Sequence, residues 1–168
     1  MTDLELWPAD GTRNWQLITD AVMGGISRGA IAEEIVDGRA AVRMRGAVST
    51  DNNGGFIQIA LDLAAAGAMI DASGFEGIAL DVAGNGESYG VHLRTPDVSR
   101  PQQSWRQGFV ATREWQTILL PFAQFVPHRI DIALDPSRLR RIGLVAIGRE
   151  FDADLSVARL ALYGSTTA

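Results

Sequence analysis

Hydrophobic and polar residues alternate with a period of two along most of the chain, and turn residues separate the alternating runs. Successive side chains of a strand point to opposite faces of a sheet, so this alternation is typical of half-buried antiparallel strands. The pattern predicts an all-β fold, a β-sandwich of about eight to nine antiparallel strands with little helix. Strands are predicted at residues 30–36, 40–48, 56–63, 78–82, 89–93, 104–111, 115–120, 142–147 and 155–163.

Turn residues lie where these runs meet. Asp37-Gly38 predicts a tight hairpin, because both residues tolerate a positive φ, and Gly84-Asn85-Gly86 predicts a second hairpin. The runs on either side of residues 112–114 are expected to pair in the same way. Residues 61–69 and 121–125 are weak helix candidates, since the first contains a glycine and the second is one turn long.

The glycines of GNGESYG, residues 84–90, also invite comparison with a nucleotide-binding loop. A dinucleotide loop needs its third glycine where a strand passes into a helix, so that the phosphate meets the helix N-terminus. Here Gly90 is one position too far along, and the residues after it alternate as a strand does. A turn between strands is therefore the favoured interpretation.

Composition and charge exclude several classes of function. The chain has 168 residues, 46% of them hydrophobic, and a mean hydropathy of +0.05, so one domain is expected to span residues 1–168. The net charge of −5 and the pI near 4.9 disfavour nucleic acid as a partner. All 15 basic residues are arginines and cysteine is absent, which excludes lysine nucleophiles, Schiff bases, thiolate chemistry and disulfides.

No targeting or membrane-spanning segment is evident in the sequence. The opening MTDLELWPADGTRNW places acidic residues before any base and has no apolar core, unlike a signal or transit peptide. The longest apolar run, residues 63–70, is far shorter than the ~20 residues that a spanning helix needs. A cytoplasmic location is expected, with a peripheral position at the inner face of the membrane as the alternative.

The stretch DAVMGGIS is a candidate contact loop. Adjacent Gly24 and Gly25 allow a sharp turn or a close approach, and Asp20 and Ser27 have short side chains that hydrogen-bond loop amides. Two interpretations stay open at this point. The stretch is either a tight entry into the first long strand or an exposed loop that presents Asp20 and Met23 to a partner.

The segment NNGGF repeats this arrangement, with polar turn residues leading into a strand that begins with Phe56. It is either a plain loop with the aromatic ring in the core, or a loop whose Asn53 lies on the same rim as Asp20. If Gly24 and Gly55 hold positive φ angles, valine at either position is expected to distort the domain.

His92 and Arg94 are candidate ligand residues because they occupy alternate positions of one predicted strand. Val91 and Leu93 take the other face, so the two polar side chains point together toward solvent or a groove. Such a face can bind sugar hydroxyls, with Trp105 as a stacking platform. The alternative is a structural histidine and a tryptophan in the core.

A catalytic set is not evident. The chain has two histidines, His92 and His128, and no serine in a G-x-S-x-G context. Asp152 and Asp154 could lend oxygens to a hard cation, but no EF-hand-like spacing surrounds them. No enzymatic activity, metal or cofactor is predicted.

Several ordered segments carry a family resemblance. Trp15 is followed by DAVMGG-x-S, by the hairpin to GAVST, and then by NNGGF, FEGIALDVAGNGESY and LRT. The strings F-x-x-x-x-x-W and LPF-x-x-F-x-P complete the series. In this order, from about Trp15 to Tyr163, the chain resembles the complex I intermediate-associated protein family.

The resemblance implies a galactose-binding-like jelly-roll β-sandwich, similar in architecture to several carbohydrate-binding modules. Mitochondrial members of the family assist the assembly of respiratory complex I and do not catalyse a reaction. This chain shows no mitochondrial presequence, so a stand-alone bacterial member is expected. A shared fold hosts many functions, so the site must decide the role.

Two hypotheses follow from the resemblance. The first is a non-catalytic binding protein that assists the assembly of NADH:ubiquinone oxidoreductase, with complex I subunits or assembly intermediates as its protein partners. The second is a carbohydrate-binding, lectin-like module with a sugar ligand. The contact residues predicted for these hypotheses are Asp20, Met23, Gly24, Gly25, Ser27, Asn53, His92, Arg94 and Trp105.

Overall fold

Two antiparallel sheets of six strands each form the protein in the computed structural model, which describes residues 3–9, 11, 13–51 and 55–164. The strands are β1 (Leu4–Trp7), β2 (Trp15–Thr19), β3 (Arg28–Val36), β4 (Arg39–Val48), β5 (Phe56–Asp62), β6 (Phe75–Gly84), β7 (Ser88–Arg94), β8 (Ser104–Val110), β9 (Gln116–Pro121), β10 (Val126–His128), β11 (Arg141–Ile147) and β12 (Phe151–Gly164). The all-β prediction is confirmed, and β1, β2 and β10 are strands that the sequence pattern did not predict.

The strand order places elements distant in sequence side by side. The first sheet has the order β3-β4-β12-β6-β9, with β1 also paired to β12. The second sheet has the order β10-β8-β7-β11-β5-β2. Short 3₁₀ helices lie at Asp20–Met23, Ala65–Gly67, Phe122–Gln124 and Pro136–Arg138. No helix in the described residues is both long enough and apolar enough to cross a membrane.

The inward-facing side chains of both sheets form the core. Ile78 and Leu80 of β6 and Leu160 and Leu162 of β12 are fully buried, as the alternation of these strands requires. Burial of a leucine or isoleucine side chain stabilises a fold by about 1.5–3 kcal/mol, so this layer holds the two sheets together.

The hairpin between β3 and β4 forms as predicted. Asp37 and Gly38 have φ angles of 42° and 80°, and the strands on either side pair from Val36 and Arg39 onward. Positive φ at both central residues matches the right-handed twist of the two strands, which is why Asp-Gly is favoured at this position.

The two other predicted hairpins are wrong. Strands β6 and β7 lie in different sheets, and so do β8 and β9, so each connection carries the chain from one sheet to the other. The two crossing connections bond to each other instead. The Gly84 amide donates to the Thr112 carbonyl at 2.7 Å, and the Gly86 amide donates to the Ala111 carbonyl at 2.7 Å.

Candidate functional site

A groove runs across the outer face of the second sheet. Its central recess has a volume of about 600 Å³. Two smaller recesses of about 280 Å³ and 170 Å³ share lining residues with it, so the three are continuous. We use the name groove for this whole depression. The central part is lined by Ile18, Phe56, Gln58, His92, Arg94, Pro101, Gln102, Arg106, His128, Arg129, Arg141, Val145 and Ile147.

Strand β11 shows how the sheet positions these side chains. Ile142 and Leu144 are fully buried in the core, so the alternate residues Arg141, Val145 and Ile147 line the groove. The series begins with a cation and ends with apolar side chains. The groove therefore has a charged end and an apolar end.

The neighbouring strands β7 and β8 supply further polar groups. His92 lies directly opposite Arg106 across the two strands, while Val91 and Leu93 are fully buried on the other face. The predicted orientation of His92 and Arg94 is thus found, and both residues line the groove.

At the charged end of the groove, some arginines have a carboxylate partner and others have none. Arg141 donates to Asp62 at 2.7 Å, whereas Arg94 and Arg106 form no ion pair with any residue in the described ranges. Burial lowers the pKa of Arg94, and the cations of Arg141 and Arg140 lower it further. The pKa of Arg106 is lowered by burial and by Arg129. Both guanidiniums remain charged but lack the carboxylate that usually accompanies a partly buried arginine.

His92 contributes a neutral imidazole. Burial lowers the pKa of His92 to about 3, and repulsion from Arg106 and His128 acts in the same direction. Near neutral pH its ring offers one donor and one acceptor nitrogen. The groove can therefore bind anionic groups through its arginines and orient hydroxyl or amide groups through His92 and Gln58.

The Asp20 carboxylate organises the apolar end of the groove. It accepts hydrogen bonds from the Gly55 amide at 2.6 Å, from the Ser27 amide at 3.0 Å and from the Phe56 amide at 3.3 Å. The Ser27 hydroxyl also donates to it. Burial alone would raise the pKa of Asp20, but these hydrogen bonds lower it below its usual value. Asp20 thus ties β2 to the start of β5, where Phe56 lines the groove.

Burial makes Asp20 and Ser27 unsuitable as direct partner contacts. Asp20 has an exposure of 0% and Ser27 is also buried. Gly24 has a φ of 85°, and a side chain on Gly25 would collide with the Asp20 carboxylate. Of the two interpretations left open by the sequence, this geometry favours the tight entry into a strand.

Met23 and Asn53 are predicted contact residues of the DAVMGGIS and NNGGF segments. The side chain of Met23 and the whole of Asn53 lie outside the described residues. Their predicted roles at the rim stay predictions.

The expected stacking role of Trp105 requires correction. Its ring has an exposure of 0%, and its indole nitrogen donates to the Ile132 carbonyl at 3.0 Å behind the sheet. An exposed ring face is necessary for stacking on a sugar. The tryptophan belongs to the core, the alternative that the sequence left open.

Sequence reasoning missed most of the groove. Arg106 lies within the predicted strand 104–111, but Arg141 lies just before the predicted strand 142–147, and the near-continuous apolar run of β11 hid which of its residues face outward. Gln58 alternates with the apolar residues Ile57 and Ile59 in the sequence, and no local feature distinguishes it as a groove residue. The signal in each case is a polar residue on an otherwise buried strand, and it identifies a groove only once the strand order is known.

No group of three or more acidic, histidine or cysteine residues in the described ranges is arranged to hold a metal ion. Asp154, considered above as a cation ligand, instead accepts from Arg43 at 2.8 and 2.7 Å. The side chains of the groove can bind a ligand through the positive charges of the arginines and through hydrogen bonds.

A family model for complex I intermediate-associated protein 30 matches residues 4–157, nearly the whole chain. No individual curated protein matches the chain.

Solved structures with a similar fold include carbohydrate-binding modules. The family 11 module of a cellulosomal cellulase of Clostridium thermocellum has a TM-score of 0.75 at 16% identity, with 98% of this chain and 96% of that chain covered. A family 11 module from the same organism, in complex with a β-1,3-1,4-mixed-linked tetrasaccharide, has a TM-score of 0.69 at 15% identity, with 97% and 95% covered. A family 30 module has a TM-score of 0.69 at 12% identity, with 100% and 91% covered. These likenesses show a jelly-roll sandwich fold.

Proposed function

The chain belongs to the complex I intermediate-associated protein 30 family, and from this membership we propose that it is a non-catalytic binding protein that assists the assembly of NADH:ubiquinone oxidoreductase. The observation that carries the proposal is the family match over residues 4–157. The partner is a complex I subunit or an assembly intermediate, held through protein–protein contacts.

The groove is the contact surface in this proposal. Its side chains stand on strands whose alternate residues are locked in the core, so they are held in place before a partner arrives. Arginine is favoured in interfaces because its planar guanidinium forms bidentate hydrogen bonds and stacks on flat groups. Arg94 and Arg106 have no intramolecular ion pair in the described residues, which leaves them free to bind a partner.

Affinity capture from native membranes of the source organism tests this function. Complex I subunits should be enriched over a capture with an unrelated β-sandwich of similar charge. Deletion of the gene should lower the amount of assembled complex I and increase partial assemblies on native gels. Repeated capture without complex I subunits, together with normal complex I in the deletion strain, would overturn the proposal.

A carbohydrate-binding module is the second candidate. It is favoured by the fold likeness to family 11 and family 30 modules over nearly the whole chain. Sugar sites usually combine a flat exposed aromatic ring with converging polar groups. Phe56 and Tyr89 are the phenyl and phenol rings among the described residues that line the groove, and Tyr89 is only 3% exposed.

Calorimetric titration with a β-1,3-1,4-mixed-linked tetrasaccharide separates the two candidates. The assembly proposal expects no saturable binding. Saturable binding that is lost in both Phe56→Ala and Arg94→Gln would instead favour the carbohydrate-binding function. A soluble, folded Arg113→Gln variant serves as the control, because Arg113 is exposed on the connection between β8 and β9.

A further inference from the structure

The charge of the groove is opposite to that of the chain as a whole. The net charge is −5, yet six arginines and a single carboxylate, Asp62, are found among the described residues that line the three recesses. Among these six, Arg141 is paired with Asp62 and Arg149 with Glu87. Several arginines outside the groove are also paired. On the first sheet, Arg43 binds Glu34 and Asp154, and Arg159 binds Asp3 and Glu5.

We propose that the groove binds an extended acidic segment of the protein partner, with carboxylates on Arg94 and Arg106 and apolar side chains against Phe56 and Ile147. The inference rests on the proposed function, since it supplies the chemistry by which that same surface recognises a protein. It makes the groove a selective site for an acidic and apolar sequence.

The unpaired arginines are the first step of the argument. A partly buried cation costs stability unless an anion or a set of acceptors compensates it. Arg106 donates to two neutral acceptors, the Ser104 hydroxyl at 2.8 Å and the Gln102 carbonyl at 3.5 Å, and Arg94 lies beside further cations at Arg140 and Arg141. An arrangement that the fold gains nothing from is expected at a functional surface. A carboxylate from outside is the missing counterion.

The surface of the sheet beneath the groove favours an extended polypeptide as the bound ligand. Gly90 and Gly108 lie directly opposite each other on β7 and β8. Glycines let another backbone approach the sheet closely. The series from Arg141 to Ile147 spans roughly 20 Å at the rise of a strand, which is the length of about six extended residues.

The change in polarity along the groove sets the sequence of the bound segment. Arg94 and Arg141 lie opposite each other at one end, while Ile147 lies opposite Phe56 at the other. A small free anion would use only the first end, and a uniformly charged polyanion would leave the second end without a partner. A segment with an acidic half and an apolar half satisfies both.

The overall charge also argues against a polyanion. A surface that attracts nucleic acid is normally basic over a wide area, and the charge of this chain is −5. The excess of arginine over carboxylate in the groove is local, so it acts on a short acidic segment at close range.

Short fluorescent peptides test the inference with the full chain. One pair has an acidic half of glutamates before or after an apolar half of valine and phenylalanine, and a matched pair replaces each glutamate by glutamine. At least one glutamate peptide should bind, and its glutamine counterpart should bind roughly tenfold more weakly or worse, as expected for lost charge-assisted hydrogen bonds. Affinity should fall as salt is raised.

Variants assign the binding to the groove. Arg94→Gln and Arg106→Gln should each weaken the glutamate peptide about tenfold, and Arg113→Gln should not. Thermal unfolding of each variant verifies the fold. Equal binding of glutamate and glutamine peptides, binding that neither groove variant reduces, or stronger binding of heparin than of the peptides would overturn the inference.

Membrane capture with an Arg94→Gln/Arg106→Gln double variant separates this inference from the proposed function. Loss of complex I subunits from this capture, with capture by the unchanged protein, supports both. If the double variant still captures the subunits, the groove inference fails and the assembly function stands. If the unchanged protein captures no subunit but binds the glutamate peptide, the assembly function fails and the groove inference stands.

Discussion

Arg94 and Arg141 lie directly opposite each other on the paired strands β7 and β11, but Arg141 alone has a carboxylate partner, Asp62 at 2.7 Å. The two guanidiniums repel each other, and their side chains share the charged end of the groove. The same residue type is therefore expected to have opposite effects on stability at these two adjacent positions.

Substitution of these two arginines by methionine should separate the effects. Arg94→Met should raise the free energy of unfolding by about 0.5–1 kcal/mol, because it removes repulsion and keeps the apolar stem. Arg141→Met should lower it by about 0.5–1 kcal/mol, since Asp62 loses its partner at a partly exposed site. Urea unfolding at low and high salt measures both, and equal changes of the same sign would contradict this assignment.

Asp20→Asn should weaken the apolar end of the groove. The asparagine amide cannot accept all the hydrogen bonds that the carboxylate receives, so buried donors of Ser27 and Gly55 lose their partner. We expect a loss of about 2–3 kcal/mol and a fall in the melting temperature of roughly 4–12 °C. Asp71→Asn is the matched control, because Asp71 makes similar bonds to Ser73 at an exposed site. A melting temperature equal to that of the control would refute the role of Asp20.

Gly55→Val should also destabilise the protein. Gly55 has a φ of 136°, a conformation that costs a residue with a side chain about 1–3 kcal/mol. Gly74→Val provides the comparison, since a side chain at Gly74 meets no atom within 4 Å and its φ is not in the positive range. The difference between the two unfolding midpoints is the measurement, and no difference would show that the backbone at Gly55 relaxes at little cost.

His92 should make the protein less stable in mild acid. Its folded pKa of about 3 lies below the usual 6.5, so between these values the unfolded chain binds a proton that the folded chain does not. The free energy of unfolding should therefore fall as the pH is lowered from about 6.5, by at most about 1.4 kcal/mol per pH unit. Carboxylates with lowered pKa values, such as Asp20 and Asp81, contribute only below about pH 4.

His92→Gln should flatten this dependence between about pH 6.5 and 4. His128→Gln is the comparison, because the pKa of His128 is also lowered but the residue stands at the edge of the sheet, so this variant should flatten the slope less. Chemical unfolding at several pH values measures the slope. A variant at position 92 with the slope of the unchanged protein would contradict the prediction.

The sequence predicts strands here better than it predicts their partners. Alternation locates β7 and β8 because burial of Val91, Leu93 and Phe109 is a local property of each strand. Gly84-Asn85-Gly86 correctly marks a reversal, and Gly86 has a φ of 84°. A tight turn is compatible both with a hairpin within one sheet and with a connection that crosses from one sheet to the other. The choice depends on β12, which lies far along the chain and pairs with β6.

The residues of the groove were likewise harder to predict than the strands that carry them, because the groove depends on strand pairing. His92 and Arg94 are evident from one strand, because two polar residues on one face stand out against a buried opposite face. Arg106 and Arg141 join them only through pairing across β8, β7 and β11, which no local pattern contains. The Asp20 loop is similar, since its hydrogen bonds reach Gly55, 35 positions away.

The pairing of β1 with β12 has a practical consequence. Leu4 lies opposite Leu162 in the first sheet, whereas the groove occupies the outer face of the second. A tether introduced beside either residue would leave from the side of the sandwich that faces away from the groove. Immobilisation of the protein on a surface through the β1–β12 pair should therefore leave the groove open to solution. A large assembly extracted from membranes could then reach the groove.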